Sequence, residues 1–140
     1  MQIKELMHNA TKLSSDTTIS EAAKIMDKKS IGSVLIEENG KVIGIMTERD
    51  ILRKIVAKGK NPDELRIKHI MSSPLITIDA DEDVLEASKK MDEHRIRRLV
   101  VTQNGEIIGK VTANSIARNL KYALGSSIVR DSTKYTRVEY

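Results

Sequence analysis

The 140-residue chain contains no cysteine, no tryptophan and no phenylalanine, and only three tyrosines. Without cysteine there is no disulfide framework, no thiolate zinc site and no cysteine nucleophile. Without Phe or Trp the core has to be aliphatic, built from Ile, Leu, Val, Met and Ala, and the usual platforms for base stacking are missing. No apolar run approaches the roughly 20 residues of a membrane span. The first residues, Met1-Gln2-Ile3-Lys4-Glu5, are charged and lead into no apolar run, unlike a secretory signal. The expectation is a soluble cytoplasmic protein. Catalytic signatures are missing as well. His8, His69 and His94 are scattered without metal-ligand spacing, no Gly-x-Ser-x-Gly elbow occurs, and Gly59-Lys60 lacks the earlier glycine of a phosphate loop. No metal and no catalytic cofactor are expected, and the chain reads as a non-enzyme. The net charge of +4 is spread over interspersed Lys, Arg, Asp and Glu. That describes a solvated surface and contains no long basic run for nucleic acid.

What the chain does contain, it contains twice. Gly44-Ile45-Met46-Thr47-Glu48-Arg49-Asp50-Ile51 returns 65 residues later as Gly109-Lys110-Val111-Thr112-Ala113-Asn114-Ser115-Ile116, and Met26 returns at the same offset as Met91. A repeat of this kind is one structural unit used twice. A half of about 60 residues is marginal alone, so the halves are expected to share a core and the pair to dimerise. Each copy opens on a short apolar and charged segment, Ile3 to Met7 and Ile67 to Met71. A short strand follows, around Thr11 to Ser14 and around Leu75 to Ile78, with one extra residue in the second copy near Ser72-Ser73-Pro74.

A helix comes next in each copy. Thr18 with Glu21, and Asp83 with Glu86, have the spacing of reciprocal caps. Ile19, Ala22, Ala23 and Met26, then Val84, Ala87 and Met91, recur at helical spacing and read as core. Two strands then flank Asn39-Gly40 and Asn104-Gly105, a pairing that tolerates the positive φ of a tight hairpin. Gly44 and Gly109 within strands indicate a bulge or a close approach of another backbone. A last helix starts at Thr47 or Thr112 and carries Ile51, Leu52, Ile55 and Val56, or Ile116 and Leu120. Lys58-Gly59-Lys60-Asn61-Pro62-Asp63 breaks the chain between copies. Residues 123–140, with a short β-like tract Tyr135-Thr136-Arg137-Val138, have no counterpart in the first copy.

The carriers of a family resemblance are Ser30-Ile31-Gly32-Ser33-Val34-Leu35-Ile36, Gly44-Ile45-Met46-Thr47-Glu48-Arg49-Asp50, His94-Arg95-Ile96-Arg97-Arg98-Leu99-Val100-Val101 and Gly109-Lys110-Val111-Thr112. In this order, and duplicated at constant spacing, they resemble the CBS (cystathionine-β-synthase) domain. Two in tandem resemble a stand-alone Bateman module, with motif 1 over 1–60, motif 2 over 61–122 and a tail over 123–140. The resemblance implies an α/β fold: two CBS motifs in pseudo-two-fold packing, each a small sheet with two helices, leaving two clefts. It also implies a non-enzymatic regulatory or sensor module that binds an adenine nucleotide (AMP, ADP or ATP), forms a homodimer and acts on an unidentified effector protein. A nucleic-acid-binding module using the basic surface, or a scaffold that needs no ligand, are the alternative readings.

Thr47 and Asp50 are three apart at a helix start, on one side of its first turn. From the residues alone two readings stand. One is a plain helix cap. The other is a carboxylate accepting two hydrogen bonds from a cis-diol. The resemblance assigns Asp50 to ribose. Arg97 and Arg98 are adjacent at a strand start, where neighbours can point to opposite faces so that one of the two reaches the cleft. Two readings stand: surface charge beside Asp92 and Glu93, or an arginine fork that suits phosphate oxygens; the resemblance places phosphate here. It places adenine against Ile76, Thr77 and Ile78. The equivalent set, Leu13, Ser14, Gly32 and Ser33 with Thr112 and Ser115, lacks both the acid and the arginine pair. That set is expected to be the weaker second site.

Overall fold

The computed structural model describes residues 1–123, so the tail with its tract at Tyr135 to Val138 lies outside the described residues. The repeat is visible in the order of elements. A 3₁₀ turn at Ile3–Glu5 precedes β1 (Lys12–Ser14), α1 (Ile19–Lys29), β2 (Ser33–Glu38), β3 (Lys41–Thr47) and α2 (Glu48–Ile51). A 3₁₀ turn at Ile67–His69 precedes β4 (Thr77–Asp79), α3 (Val84–His94), β5 (Arg98–Gln103), β6 (Glu106–Thr112) and α4 (Ala113–Ala123). Mixed α/β architecture with two small sheets, each with two helices, is what the repeat predicts.

Each sheet has three strands. β1 runs parallel to β2, and β2 antiparallel to β3; β4, β5 and β6 repeat the pattern. The hairpins turn at Asn39-Gly40 and Asn104-Gly105, whose φ angles are 52° and 77°, then 52° and 79°. Successive positive φ values are the geometry that the Asn-Gly pairs were expected to supply. β4 begins two residues later than the apolar run suggests. Thr77 is the first residue in register, opposite Val100, and Leu75 and Ile76 precede the ladder.

In space the chain divides into two units, one of residues 9–76 and one of residues 1–8 with 77 onward. The opening segment of each repeat therefore belongs to the body of the other repeat. The same hydrogen bonds tie both in. Ile3 N–H donates to Glu82 O and Val84 N–H to Met1 O, at 2.9 Å each. Ile67 N–H donates to Thr17 O at 2.9 Å and Ile19 N–H to Leu65 O at 3.0 Å. An exposed ion pair, Lys68 to Asp16 at 2.9 Å, adds to the second set.

The core of unit 9–76 joins Ile19, Ala22 and Met26 of α1 to Val34, Ile36 and Met46 of the sheet, with Ile55, Ile67 and Ile70. In the other unit Ile3, Leu6, Val84, Ala87, Met91, Leu99, Val101 and Val111 are buried. Ala23 is only half-buried. The Thr18 hydroxyl accepts from Glu21 N–H at 3.1 Å, and Asp83 caps α3 through Leu85 N–H at 2.9 Å rather than through Glu86. That backbone bond holds the Asp83 carboxyl below its ordinary 3.8.

Both expectations for the strand glycines hold. The register slips between Ile36 and Glu37 opposite Gly44, and between Val101 and Thr102 opposite Gly109. A second backbone lies against each glycine. A Cβ on Gly109 would stand 2.5 Å from His8 O, and one on Gly44 2.9 Å from Ser72 O.

Candidate functional site

The two Thr-x-x-(Asp/Ser) turns start α2 and α4, and both are reciprocal caps. In the first, Asp50 N–H donates to Thr47 Oγ1 at 3.3 Å, while Thr47 N–H and Thr47 Oγ1 reach Asp50 Oδ2 at 2.9 and 3.2 Å. The other carboxylate oxygen, Oδ1, meets Lys54 Nζ at 3.2 Å, and the same ammonium donates to Ile70 O at 2.8 Å. In the second turn Ser115 N–H donates to Thr112 Oγ1 at 3.1 Å. Ser115 Oγ accepts from Thr112 N–H at 3.0 Å, lies 2.9 Å from Thr112 Oγ1 and donates to Thr112 O at 2.9 Å. Ser115 is 2% exposed and its single oxygen is committed to the cap. Asp50 has a second oxygen outside the cap, on a side chain 15% exposed. The capping and the carboxylate readings of Asp50 are thus compatible: one oxygen serves each.

The helices that follow differ. α2 has four residues and passes into a π turn over Leu52–Val56, with Ala57 N–H donating to Leu52 O at 2.9 Å. Ile55 is buried by this winding, while Leu52 and Val56 are exposed. α4 runs unbroken for 11 residues, and Asn119, at the place of Lys54, donates to Ser115 O at 2.7 Å.

The strand starts adjoin these turns within each unit. Ser33 pairs with Thr47 across β2 and β3, and Glu48 N–H donates to Gly32 O at 3.0 Å. In the other unit Arg98 pairs with Thr112, and Ala113 N–H donates to Arg97 O at 2.9 Å. Each unit therefore brings Arg98 beside Thr112 and Ser115, or Ser33 beside Thr47 and Asp50. Arg97 is exposed and precedes β5; Arg98 is half-buried; Ser33 is buried. Leu13 is half-buried and Ser14 exposed, on β1. Thr47, Asp50 and Ile76 belong to unit 9–76, and Thr77, Ile78, Arg97 and Arg98 to the other.

Thr77 and Ile78 border a groove of about 410 Å³ between β4 and α3. Its rim carries Asp79, Glu82, Glu86 and Glu93 against Lys89 and Lys90, an acidic balance that repels phosphate. Lys90 Nζ donates to Thr77 O at 2.6 Å, and Ile78 is buried. Two lysines that the motif reading passed over also bear on the turns. Lys54 is one. Lys110, 8% exposed, is the other; it pairs with Val100 in the sheet and bridges to His8 through both main-chain groups. Burial, then the charge of Arg98, pushes its ammonium below the ordinary 10.5. Setting the repeats side by side exposes both, since Lys110 stands where the first copy has Ile45, and Lys54 where the second has Asn119.

The model of the CBS domain matches residues 3–57 and again residues 67–122. The chain belongs to the CBS-domain family. An uncharacterized protein of Methanopyrus kandleri is 45% identical over 111 residues, covering 78% of this chain and 57% of that protein. The CBS domain-containing protein YhcV of Bacillus subtilis is 30% identical over 107 residues, 76% of each chain. The chain thus spans less than two thirds of the Methanopyrus relative. Among solved structures, an uncharacterized conserved protein from Pyrococcus horikoshii superposes with a TM-score of 0.80 at 26% identity, over 99% of this chain and 96% of that one. Tandem CBS domains are commonly regulatory modules, and no catalytic family is indicated for this chain. Among the described residues no helix is long and apolar enough to cross a membrane, and no cluster of His, Cys, Asp and Glu could hold a metal ion.

Proposed function

We propose that this CBS pair is a non-catalytic sensor of adenine nucleotides, working as a homodimer that passes ligand binding to an effector protein. On this reading Thr47 and Asp50 take the ribose diol, Ile76, Thr77 and Ile78 serve adenine, and Arg97 and Arg98 take phosphate. Leu13, Ser14, Gly32, Ser33, Thr112 and Ser115 form the weaker set. Binding alters the populations of states that the effector feels.

The observation that carries the reading is the contrast between the two caps. Asp50 can close its cap with Oδ2 and still offer Oδ1, exchanging Lys54 for a ligand hydroxyl. Ser115 has no second oxygen to offer. A hydrogen bond to a charged group contributes about 1.5–3 kcal/mol and a neutral one about 0.5–1.5 kcal/mol. The two sets should therefore differ in affinity by tenfold or more. Calorimetric titration with AMP, ADP and ATP tests this. One tight site per chain is expected, with Asp50→Ala losing at least tenfold and Ser115→Ala retaining the affinity. Two equal sites per chain, or an Asp50→Ala variant that binds as well as the parent, would reject the reading.

A further inference from the structure

The two units cover the first turn of α1 and of α3 differently. In unit 9–76 the stretch Pro62 to Leu65 lies across the start of α1: Ser20 N–H donates to Pro62 O at 3.1 Å and Ile19 N–H to Leu65 O at 3.0 Å. Leu65 is half-buried and packs on the core, and Pro62 is half-buried too. In the other unit Met1 takes the place of Leu65, since Val84 N–H donates to Met1 O at 2.9 Å. The amide equivalent to that of Ser20, Leu85 N–H, turns instead to Asp83 Oδ1 at 2.9 Å. Met1 is 46% exposed and Leu85 62% exposed. Among the described residues, two large apolar side chains thus stand in water where the first unit has a covered face.

We infer that the chain beyond α4, residues 124–130, folds back across the start of α3 in the same unit, and that Ile128 and Val129 cover Met1 and Leu85. The first unit shows that the route is short. Only Ala57 to Asn61 lie between the end of the π turn at Val56 and Pro62. α4 ends at Ala123 and lies against α3. The 65-residue offset sets Asn61-Pro62-Asp63-Glu64-Leu65 against Ser126-Ser127-Ile128-Val129-Arg130. Composition changes on both sides of this contact together. The first repeat has Ser20 on the helix and exposed Asp63 and Glu64 on the crossing stretch. The second has Leu85 on the helix, and Ile128 and Val129 in the stretch. Removing these apolar surfaces from water supplies the drive. Charge agrees. Glu82 and Glu86 flank Leu85 on an acidic rim, and Arg130 follows the apolar pair directly, with Lys134 and Arg137 beyond it. None of the residues assigned to the nucleotide takes part, so the inference stands apart from that reading.

The absence of native cysteine makes a cross-linking test clean. Leu85→Cys combined with Ile128→Cys, in the full chain at micromolar concentration, would be oxidised with diamide and followed by intact mass and non-reducing gels. Leu85→Cys combined with Thr136→Cys is the control, because a tail that wanders freely offers both positions alike. A disulfide needs Cα atoms within about 7 Å. An intrachain bond should form at least tenfold faster for 85 with 128 than for 85 with 136. Equal rates for the two pairs overturn the inference. A disulfide-linked dimer as the main product also overturns it, and assigns the face to a second copy of the chain. Leu85→Ser, which installs the first-repeat residue, gives an independent reading. It should lower Tm by about 3 °C or more if the leucine is covered. An unchanged or higher Tm would show that Leu85 stays in water, and would equally overturn the inference.

Discussion

Lys110 and Ile45 occupy equivalent places in two sheets of one design, which isolates the effect of a single ammonium. Its pKa lies below 10.5 in the fold, first because it is buried and second because Arg98 is near. The sign of the pH effect follows. A lowered pKa means that the folded state holds this proton less tightly than the unfolded chain does. The penalty is therefore fully present at neutral pH, lessens as pH rises through the lowered folded value, and is gone above 10.5. The stability of Lys110→Met relative to the parent should fall as pH rises from 7 towards 10.5, because the parent loses its penalty over that range. Titrations common to both proteins cancel in the difference. Paired melts at pH 7 and at successive higher values check this, and a constant or rising relative stability of the variant would contradict it. At this scale the sequence was legible for Thr47, Asp50, Thr112 and Ser115, because a cap is a local pattern. Motif reading passed over Lys110 and Lys54, which stand out only when the two repeats are set side by side. Their importance comes from cross-strand register and from contact with residues 12 or more positions away, neither of which a motif encodes.

Among the elements, hairpins and helix caps were readable because their determinants are contiguous. Asn39-Gly40 and Asn104-Gly105 place positive φ at the turns. The winding after Thr47 was not readable. Ile51, Leu52, Ile55 and Val56 suit a helix of either pitch, and it is the π turn that buries Ile55 and leaves Leu52 and Val56 in solvent. The strand glycines gave a correct but incomplete message. A close neighbour was foreseeable; its identity, the segment that opens the other repeat, was not. His8 and Lys110 exchange hydrogen bonds of 2.8 and 2.9 Å across Gly109, and Ser72 and Ile45 exchange bonds of 2.8 and 3.1 Å across Gly44. Gly109→Ala would push a methyl into His8 O, a backbone atom that cannot swing aside. Overpacking of this kind costs about 1–3 kcal/mol. Hydrogen exchange at the His8 and Lys110 amides should accelerate in Gly109→Ala. Gly105→Ala, whose Cβ would meet nothing within 4 Å, should instead pay through its positive φ of 79° and leave those two amides protected. Equal protection in parent and Gly109→Ala would mean that the close approach is not what fixes the segment.

For the molecule as a whole, the exchange of opening segments decides which stretch of chain can hold a core. The segments Ile3 to Met7 and Ile67 to Met71 have the same apolar spacing, so either could fill either body by composition alone, and the linear division at residue 60 is the natural one to read. The spatial unit instead runs over residues 9–76, and its core includes Ile67 and Ile70, 0% and 5% exposed, beyond that division. A fragment of residues 1–60 keeps Ile3 and Leu6, which are buried in the other unit, and lacks both of these isoleucines. Removing one buried isoleucine side chain down to alanine costs about 2–5 kcal/mol, against a total stability of roughly 5–15 kcal/mol for a whole domain. The loss of two, in a body this small, exceeds what remains. A fragment of residues 9–76 is of similar length but contains every member of that core. Its amide spectrum should be dispersed and its melt cooperative, while the 1–60 fragment should give the narrow spectrum of an unfolded chain. A 1–60 fragment as well ordered as 9–76 would show that the first body is complete without Ile67 and Ile70, and that the exchanged segment decorates the core instead of closing it.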